Sequence, residues 1–268
     1  MSDKSDPLSF TVMSLNLRFG LAEDGPNNWV CRRHAFLPLM ESYPSDFLAF
    51  QEANDFQVAF LSALLPDHDH IGQRDPAPER WQSNVLFYHR RWRCLHHEHF
   101  YLSTTPHKPS RFHGSRWPRQ CTMGVFQRGC FCLVVVNTHF DFSEEVQIRS
   151  ARLIRKRLRR HAGKGPTVLM GDFNNTPESA CYKEFTTETD RTQKFRNAFP
   201  PPYTGTHHGF NGGHDGGPID WILFRGALKV HQASVITERF GGIYPSDHYP
   251  LVAEFSPSTC GPATAGFD

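Results

Sequence analysis

Short apolar runs that stop at polar residues are the feature that most limits the folds open to this chain. Phe10 to Asn16 ends on an asparagine, and Asp46 to Phe50 stops at Gln51-Glu52. Cys130 to Asp141 closes on Asn137-Thr138-His139 and then Asp141. Thr167 to Met170 runs into Gly171-Asp172-Phe173-Asn174. Pro218-Ile219-Asp220 opens a further run, and Ser246-Asp247-His248 stands just before the last, Tyr249 to Phe255. One polar residue at a strand end is ordinarily a turn residue. Six such ends, rich in His, Asn and carboxylates, are hard to explain as turns. An α/β protein collects its site where strand ends share a sheet edge.

The rest of the chain fits that class. Helical spacing is expected over Trp29 to Tyr43, Phe56 to Leu65 and Glu144 to His161, and further strands over Ser83 to Tyr88, Trp92 to Leu102 and Leu228 to Ile236. Cys121 to Phe126 and the run from Cys130 should form a hairpin turning at Gln127 to Gly129. Elements alternate irregularly, so the sheets are expected to be mixed rather than parallel. Residues 10–255 are expected to form one domain, with 1–9 and 256–268 as flexible ends. The longest apolar stretch, within Cys130 to Asn137, is far short of the ~20 residues of a membrane span. Met1 to Ser9 is polar and lacks a signal-peptide pattern, and no CxxC pair occurs among the 7 Cys. A cytoplasmic protein with reduced cysteines is expected.

Charge narrows the chemistry. The 268 residues hold 29 basic and 27 acidic side chains, a formal net charge of +2. That balance excludes a protein that grips a polyanion by bulk charge. Yet 22 of the basic residues are Arg and only 7 are Lys, and the guanidinium fork matches phosphate oxygens. Carboxylates with Asn are hard oxygen ligands, suited to Mg²⁺ or Mn²⁺. Neither HExxH nor zinc spacing of Cys and His is present. A metal with His, Asp and Asn is a complete set for phosphoester hydrolysis.

Taken together, Ser14-Leu15-Asn16, Gln51-Glu52, Asn137-Thr138-His139, Gly171-Asp172-Phe173-Asn174, Pro218-Ile219-Asp220-Trp221 and Ser246-Asp247-His248 resemble, in order, the motifs of the endonuclease/exonuclease/phosphatase superfamily. The resemblance covers roughly residues 10 to 255 and implies a four-layer α/β sandwich, two mixed β-sheets face to face with helices outside. It implies Glu52 as principal metal ligand, with Asn16 as ligand or orienter and Asp247 as a metal-side carboxylate. It implies Asp172 as the group that positions or deprotonates water or protonates the leaving group. Asn174 would hydrogen-bond the attacked phosphoryl group, and His248, held by Asp220, would contact its oxygen or act as base. His139 would donate to a phosphate oxygen. Whether Asp172 or the Asp220–His248 pair is the base stays open, as does a count of one or two metals. Asp141 and Asn137 divide evenly between site and turn or cap roles.

Asp24 to Trp29, Pro109-Ser110, Arg119 and Thr206 to Phe210, with His208, further resemble a bacterial subgroup of short members, nearer deadenylase-like than abasic-site enzymes. The loop Pro106 to Gln120 carries Lys108, Arg111, Arg116 and Arg119 beside Phe112, His113 and Trp117, and no acid. Arg beside aromatics can hold phosphate and stack a base. Arg119, Arg116, Trp117 and His208 are therefore the substrate-binding candidates, with Arg119 foremost because a strand follows it. The basic run Arg152 to Arg160 is expected to be a solvated helix face. Three functions compete: a phosphodiesterase on DNA or RNA, favouring single strands or ends; an enzyme on small phosphate esters; and a binding protein without catalysis. No motif position is replaced by an apolar residue, which argues against the third. A monomer that meets no membrane is expected.

Overall fold

The protein is described from a computed structural model, covering residues 8–161, 163–187 and 194–258. Most of the expected loose ends, 1–7 and 259–268, lies outside those residues. The strands are β1 (Phe10–Asn16), β2 (Phe47–Ala53), β3 (His68–Ile71), β4 (Ser83–His89), β5 (Arg93–Tyr101), β6 (Gln120–Arg128), β7 (Phe131–His139), β8 (Thr167–Asp172), β9 (Arg196–Asn197), β10 (Asp220–Arg225), β11 (Leu228–Val235) and β12 (Leu251–Pro257). The α-helices are α1 (Trp29–Arg32), α2 (Phe36–Ser42), α3 (Asp55–Leu64), α4 (Glu144–Leu158) and α5 (Ala180–Thr186). Two six-stranded sheets form, in the orders β11-β12-β1-β2-β4-β3 and β5-β6-β7-β8-β10-β9. Each is mixed: β1 runs parallel to β2, and β7 to β8, among antiparallel neighbours.

The continuous apolar runs follow from burial on both faces of the central strands. Along β7, Leu133 and Val135 point between the sheets, where they join Phe10, Val12, Phe47 and Ala49 of the other sheet. Val134 and Val136 point the other way, into a core with Ala151, Ile154 and Leu158 of α4. Met13 and Leu15 of β1 likewise turn outward onto Phe36, Leu39, Val58 and Leu61 of α2 and α3. Helices therefore cover both outer faces, and the result is the expected four-layer sandwich.

Two buried amides cross the space between the sheets. Gln51 Nε2 donates to Asn137 Oδ1 at 2.8 Å, and Asn137 Nδ2 donates to the carbonyls of Phe50 and Val85 at 2.9 and 2.8 Å. Asn137 is thus a tie between sheets, its polar atoms satisfied away from water.

Several boundaries differ from expectation for physical reasons. The helix expected over Trp29 to Tyr43 is broken into α1, a 3-10 turn and α2, because Pro38 has no N–H to continue the ladder from α1. The hairpin turns at Gly129-Cys130, two residues late, where Gly129 takes φ +59°. Short β3, β9 and α5 were not expected. The basic face of α4 is not simply solvated. Arg152 and Arg155 meet Glu184 at 2.7 and 3.4 Å, and Arg157 meets Glu98 at 2.7 Å.

Candidate active site

Strand register builds the site. His139 of β7 stands beside Asp172 of β8, and Asp172 stands opposite Asp220 of β10. One row across three neighbouring strands therefore carries His, Asp and Asp at the sheet edge. In the facing sheet, Asn16 of β1 pairs in register with Gln51 of β2, one residue before Glu52.

Close backbone approach makes this row possible. Gly171 sits against Thr138 at φ +154°, and a Cβ there would lie 1.9 Å from the Thr138 carbonyl oxygen. Three non-glycine residues at the site also hold left-handed backbone: Arg18 at φ 60°, Glu52 at 58° and Asn174 at 50°. Such conformations cost free energy and persist where surrounding structure enforces them. Glu52 takes its conformation where the β2–β4 register shifts, between Phe50 and Ala53, a bulge that re-aims a side chain.

The side chains connect in one network. Asn16 Nδ2 donates to Asp172 Oδ2 at 3.0 Å and to Glu52 Oε1 at 3.3 Å, joining the two sheets. Its Oδ1 accepts from the Arg18 N–H at 2.8 Å, which fixes the amide's orientation. Glu52 Oε2 accepts from the Phe19 N–H at 2.8 Å. Asp172 Oδ1 accepts from the Asn174 N–H at 2.9 Å. His248 Nδ1 lies 2.8 Å from Asp220 Oδ2, and its Nε2 lies 3.9 Å from Asp172 Oδ2. His139 Nε2 lies 3.4 Å from the same Asp172 oxygen and 3.1 Å from Asn174 Nδ2. Arg119 reaches His139 Nδ1 at 2.9 Å. A guanidinium can only donate, so Nδ1 accepts and the neutral His139 ring carries its proton on Nε2, toward Asp172, which leaves the Asn174 amide nitrogen beside it as a second donor rather than a hydrogen-bond partner.

Burial sets the charges. Desolvation, reinforced by Arg119 and His248, holds the His139 imidazole well below its ordinary value, hence neutral. Asp172 is pushed up, first by burial and then by the Asp220 charge. His248 is opposed by burial but driven up overall by Asp220, Asp172 and Asp247. Asp220 Oδ1 is buried without a hydrogen-bond partner among the described residues.

Of the substrate-binding candidates, Arg119 and Trp117 line a cavity of about 610 Å³ that also touches Glu52 and His139. Arg116 and His208 do not line it. Arg116 is exposed on the loop, its guanidinium 5.7 Å from the Trp117 ring centroid. His208 is buried and stacks on Tyr249 at 4.0 Å. Asp141 organises the loop, its Oδ2 accepting from Ser115 Oγ and the Arg116 and Trp117 N–H groups.

The motif signals did not point to Arg18, and His207 lay within the Thr206 to Phe210 segment without being singled out as a site residue. Arg18 grips Asp24 at 2.8 and 2.9 Å and places Nε 3.6 Å from Asp247 Oδ2. Its place two residues after Asn16 was the available hint. His207 Nε2 lies 3.8 Å from the same Asp247 oxygen.

A family model described as the Endonuclease/Exonuclease/phosphatase family matches residues 13–248. The chain belongs to that family. Among solved members, it is 25% identical to a family protein from Bacteroides thetaiotaomicron, with TM-score 0.83 over 94% of this chain and 98% of that one. It is also 25% identical to a mannosyl-6-phosphatase from the same species, with TM-score 0.82 over 92% and 99% of the two chains. TDP2 from Caenorhabditis elegans, 16% identical with TM-score 0.73 over 92% of this chain and 74% of that one, shares the fold. A curated relative, a UPF0294 protein of Klebsiella pneumoniae (strain 342), is 35% identical over 136 residues. That match spans 47% of this chain and 42% of the relative's length.

The donor set suits a hard cation. Among the described residues, Asp247 Oδ2 has only two long contacts, to Arg18 and His207. Glu52 keeps lone pairs beyond the one backbone N–H and the Asn16 amide. Among the described residues, His207, Asp247 and His248, and separately Asp172, Asp220 and His248, bring ligand atoms within 4.8 Å of one another. Glu52 is in neither group. No helix of the described residues is long and apolar enough to cross a membrane.

Proposed function

We propose that this chain is a divalent-metal-dependent phosphoester hydrolase that cleaves phosphodiesters of nucleic acid, with single strands or strand ends favoured over duplex. The observation that carries the proposal is the contact network from Glu52 through Asn16 and Asp172 to His248 and Asp220, beside a cavity walled by Arg and aromatic side chains. Glu52 and Asp247, with Asn16 beside them, would hold Mg²⁺ or Mn²⁺. Bound there, the ion would offset charge building on the phosphoryl oxygens.

The chain's own groups divide the remaining work. Asp220 holds His248 by Nδ1 and leaves Nε2 to face a phosphoryl oxygen. Asp172, easier to protonate than an ordinary carboxylate, can take a proton from water or return one to the leaving group. Asn174 Nδ2 and the proton on His139 Nε2 donate toward the phosphoryl group, preorganised by the Phe140 carbonyl and by Arg119. Residues 10–255 act as one catalytic domain, working as a cytoplasmic monomer.

The likeness to a mannosyl-6-phosphatase favours a second reading, a phosphatase on sugar phosphates. A substrate panel with Mg²⁺ and Mn²⁺ separates the two. It comprises single-stranded DNA, RNA, poly(A), plain and abasic duplex, mononucleotides, sugar phosphates and inositol phosphates. Fastest turnover on single-stranded nucleic acid is expected. Faster turnover of a sugar phosphate would select the second reading, and no hydrolysis of any member would reject both.

A further inference from the structure

The cavity beside Glu52 and His139 is formed by loops from both sheets. Trp81 precedes β4 of the first sheet, while Trp117 precedes β6 and Phe142 follows β7 of the second. Trp117 is 52% exposed and Phe142 58%. Among the described residues, the large exposed aromatics are these two and Phe56, so two of the three stand on one cavity wall. Apolar rings left open to water around a concavity mark a binding site rather than a fold requirement. Asp141, by accepting three hydrogen bonds from residues 115–117, fixes the segment that presents Trp117, so the ring is mounted rather than loose.

The wall is also cationic. Arg18, Arg80 and Arg119 line it, and Glu52 is the one acid among the lining residues. Arg80 is exposed, lies 5.4 Å from the Phe19 ring centroid, and forms no ion pair among the described residues. Beside the guanidinium groups stand flat aromatic faces and the amides of Gln82, Asn84 and Gln120, which can both donate and accept at a base edge. Planar aromatics interleaved with guanidinium groups match a nucleobase, which has a π-face and ring-edge acceptors, and a phosphate beside it.

We propose that this cavity is a nucleobase pocket, in which Trp117 and Phe142 stack the base next to the phosphoryl group, Trp81 closes the opposite loop and Arg80 meets a flanking phosphate. The proposal rests on the phosphoester-hydrolase reading above and adds Trp81, Phe142 and Arg80 as specificity-determining residues.

The test is equilibrium binding, followed by tryptophan fluorescence. The full chain is titrated with Mn²⁺ present against two probes, a nucleoside 5′-monophosphate and ribose 5-phosphate, which lacks the base. The wild type should bind the nucleotide about 5- to 150-fold more tightly, the range for stacking one base. Trp117→Ala and Phe142→Ala, both at exposed positions, should each lose most of that gap while binding ribose 5-phosphate as the wild type does. Arg80→Gln should leave both single-phosphate probes unchanged and weaken binding of a 5′-phosphorylated dinucleotide, which carries the flanking phosphate. Equal affinity for the two probes, tighter binding of mannose 6-phosphate than of the nucleotide, or a gap that survives both aromatic substitutions would each overturn the pocket. Hydrolysis is measured separately on the same proteins. A base gap without any metal-dependent hydrolysis supports the pocket and strikes at the hydrolase reading. Hydrolysis without a base gap does the reverse.

Discussion

Replacing Asp220 with Asn isolates the step on which the proposed chemistry turns. The substitution keeps the shape of a side chain that is 4% exposed and removes its charge. What it disturbs is the 2.8 Å contact to His248 Nδ1. If the Asn oxygen faces the ring, a charge-assisted bond becomes a neutral one, at a cost of about 1–1.5 kcal/mol, the difference between a charged and a neutral hydrogen bond. That corresponds to a ~5- to 13-fold fall in kcat. If the NH₂ faces the ring, Nδ1 must accept, and the proton of the neutral imidazole moves to Nε2. In a Ser-His-Asp triad the equivalent tautomer change costs roughly 10⁴-fold. A fall in kcat between these limits is expected, with KM moving less than about threefold because the dyad does not hold the remote part of the substrate. The lost bond also costs stability, offset in part because Asp172 and Asp220 stand in register on neighbouring strands and repel, and Asp220 Oδ1 has no partner among the described residues. The melting temperature should therefore fall modestly, with the protein still folded at the assay temperature. Steady-state kinetics with Mg²⁺ and a thermal melt on the same preparation decide the matter. Wild-type kcat in Asp220→Asn would refute the reasoning, as would a loss of kcat matched by a loss of fold.

Other perturbations have equally definite outcomes. Gly171→Ala should destabilise the fold by more than ~2 kcal/mol, since its Cβ would meet a backbone oxygen that cannot move aside; an unchanged melting curve would contradict the packing described. Arg119→Ala should lower kcat, because its guanidinium fixes the His139 ring that donates to the phosphoryl group, and should also raise KM as the cavity loses a cation; unchanged kinetics would remove it from the cleft. Burial, with the Arg74 charge behind it, pushes the His99 imidazole down to about 4. The unfolded chain takes up a proton near pH 6.5 that the folded chain refuses until about pH 4, so stability is full above 6.5 and falls as pH drops through that window. His99 should account for up to ~3 kcal/mol of that loss in denaturant titrations, beside the buried His139 and His208 imidazoles that burial also depresses, and His99→Gln should make the slope shallower; an identical pH profile in the variant would exclude a contribution from His99.

Strand ends were readable because each run needs polar chemistry at one edge and apolar residues behind it. Asn16, Glu52, His139, Asp172, Asn174, Asp220 and His248 could be singled out that way, and the fold joins all seven in one network. Residues whose role depends on a distant partner were not readable. Asn137 looked like a strand-end polar group, yet its amide is used between the sheets on Gln51, Phe50 and Val85. Asp141 could be read equally as a site residue or as a turn or cap, yet it fixes a loop some 25 residues earlier in the chain. Trp81 sits in a loop with no periodicity, and only the fold brings it to the cavity that holds Trp117. Arg116 and Arg119 belong to one basic loop, and the strand that follows Arg119 was the one signal that separated them. Arg119 immediately precedes β6 and is buried beside His139, while Arg116 stays at the surface. Short elements such as β9 and α5 carry too few residues for a pattern and owe their form to neighbours, Cys181 and Phe185 of α5 packing into the core shared with α4.

The central claim is that Glu52 and the Asp220–His248 pair serve one metal-assisted phosphoester hydrolysis. The most direct measurement is product release from single-stranded nucleic acid by the wild type and Glu52→Gln, each with Mg²⁺, with Mn²⁺ and with excess chelator, alongside calorimetric titration of Mn²⁺ into both proteins. The account predicts wild-type turnover that needs the cation and stops with chelator, and a fall of at least ~10²-fold in kcat in Glu52→Gln, with weakened Mn²⁺ binding. Undiminished turnover in chelator, or wild-type turnover and Mn²⁺ affinity in Glu52→Gln, would contradict it.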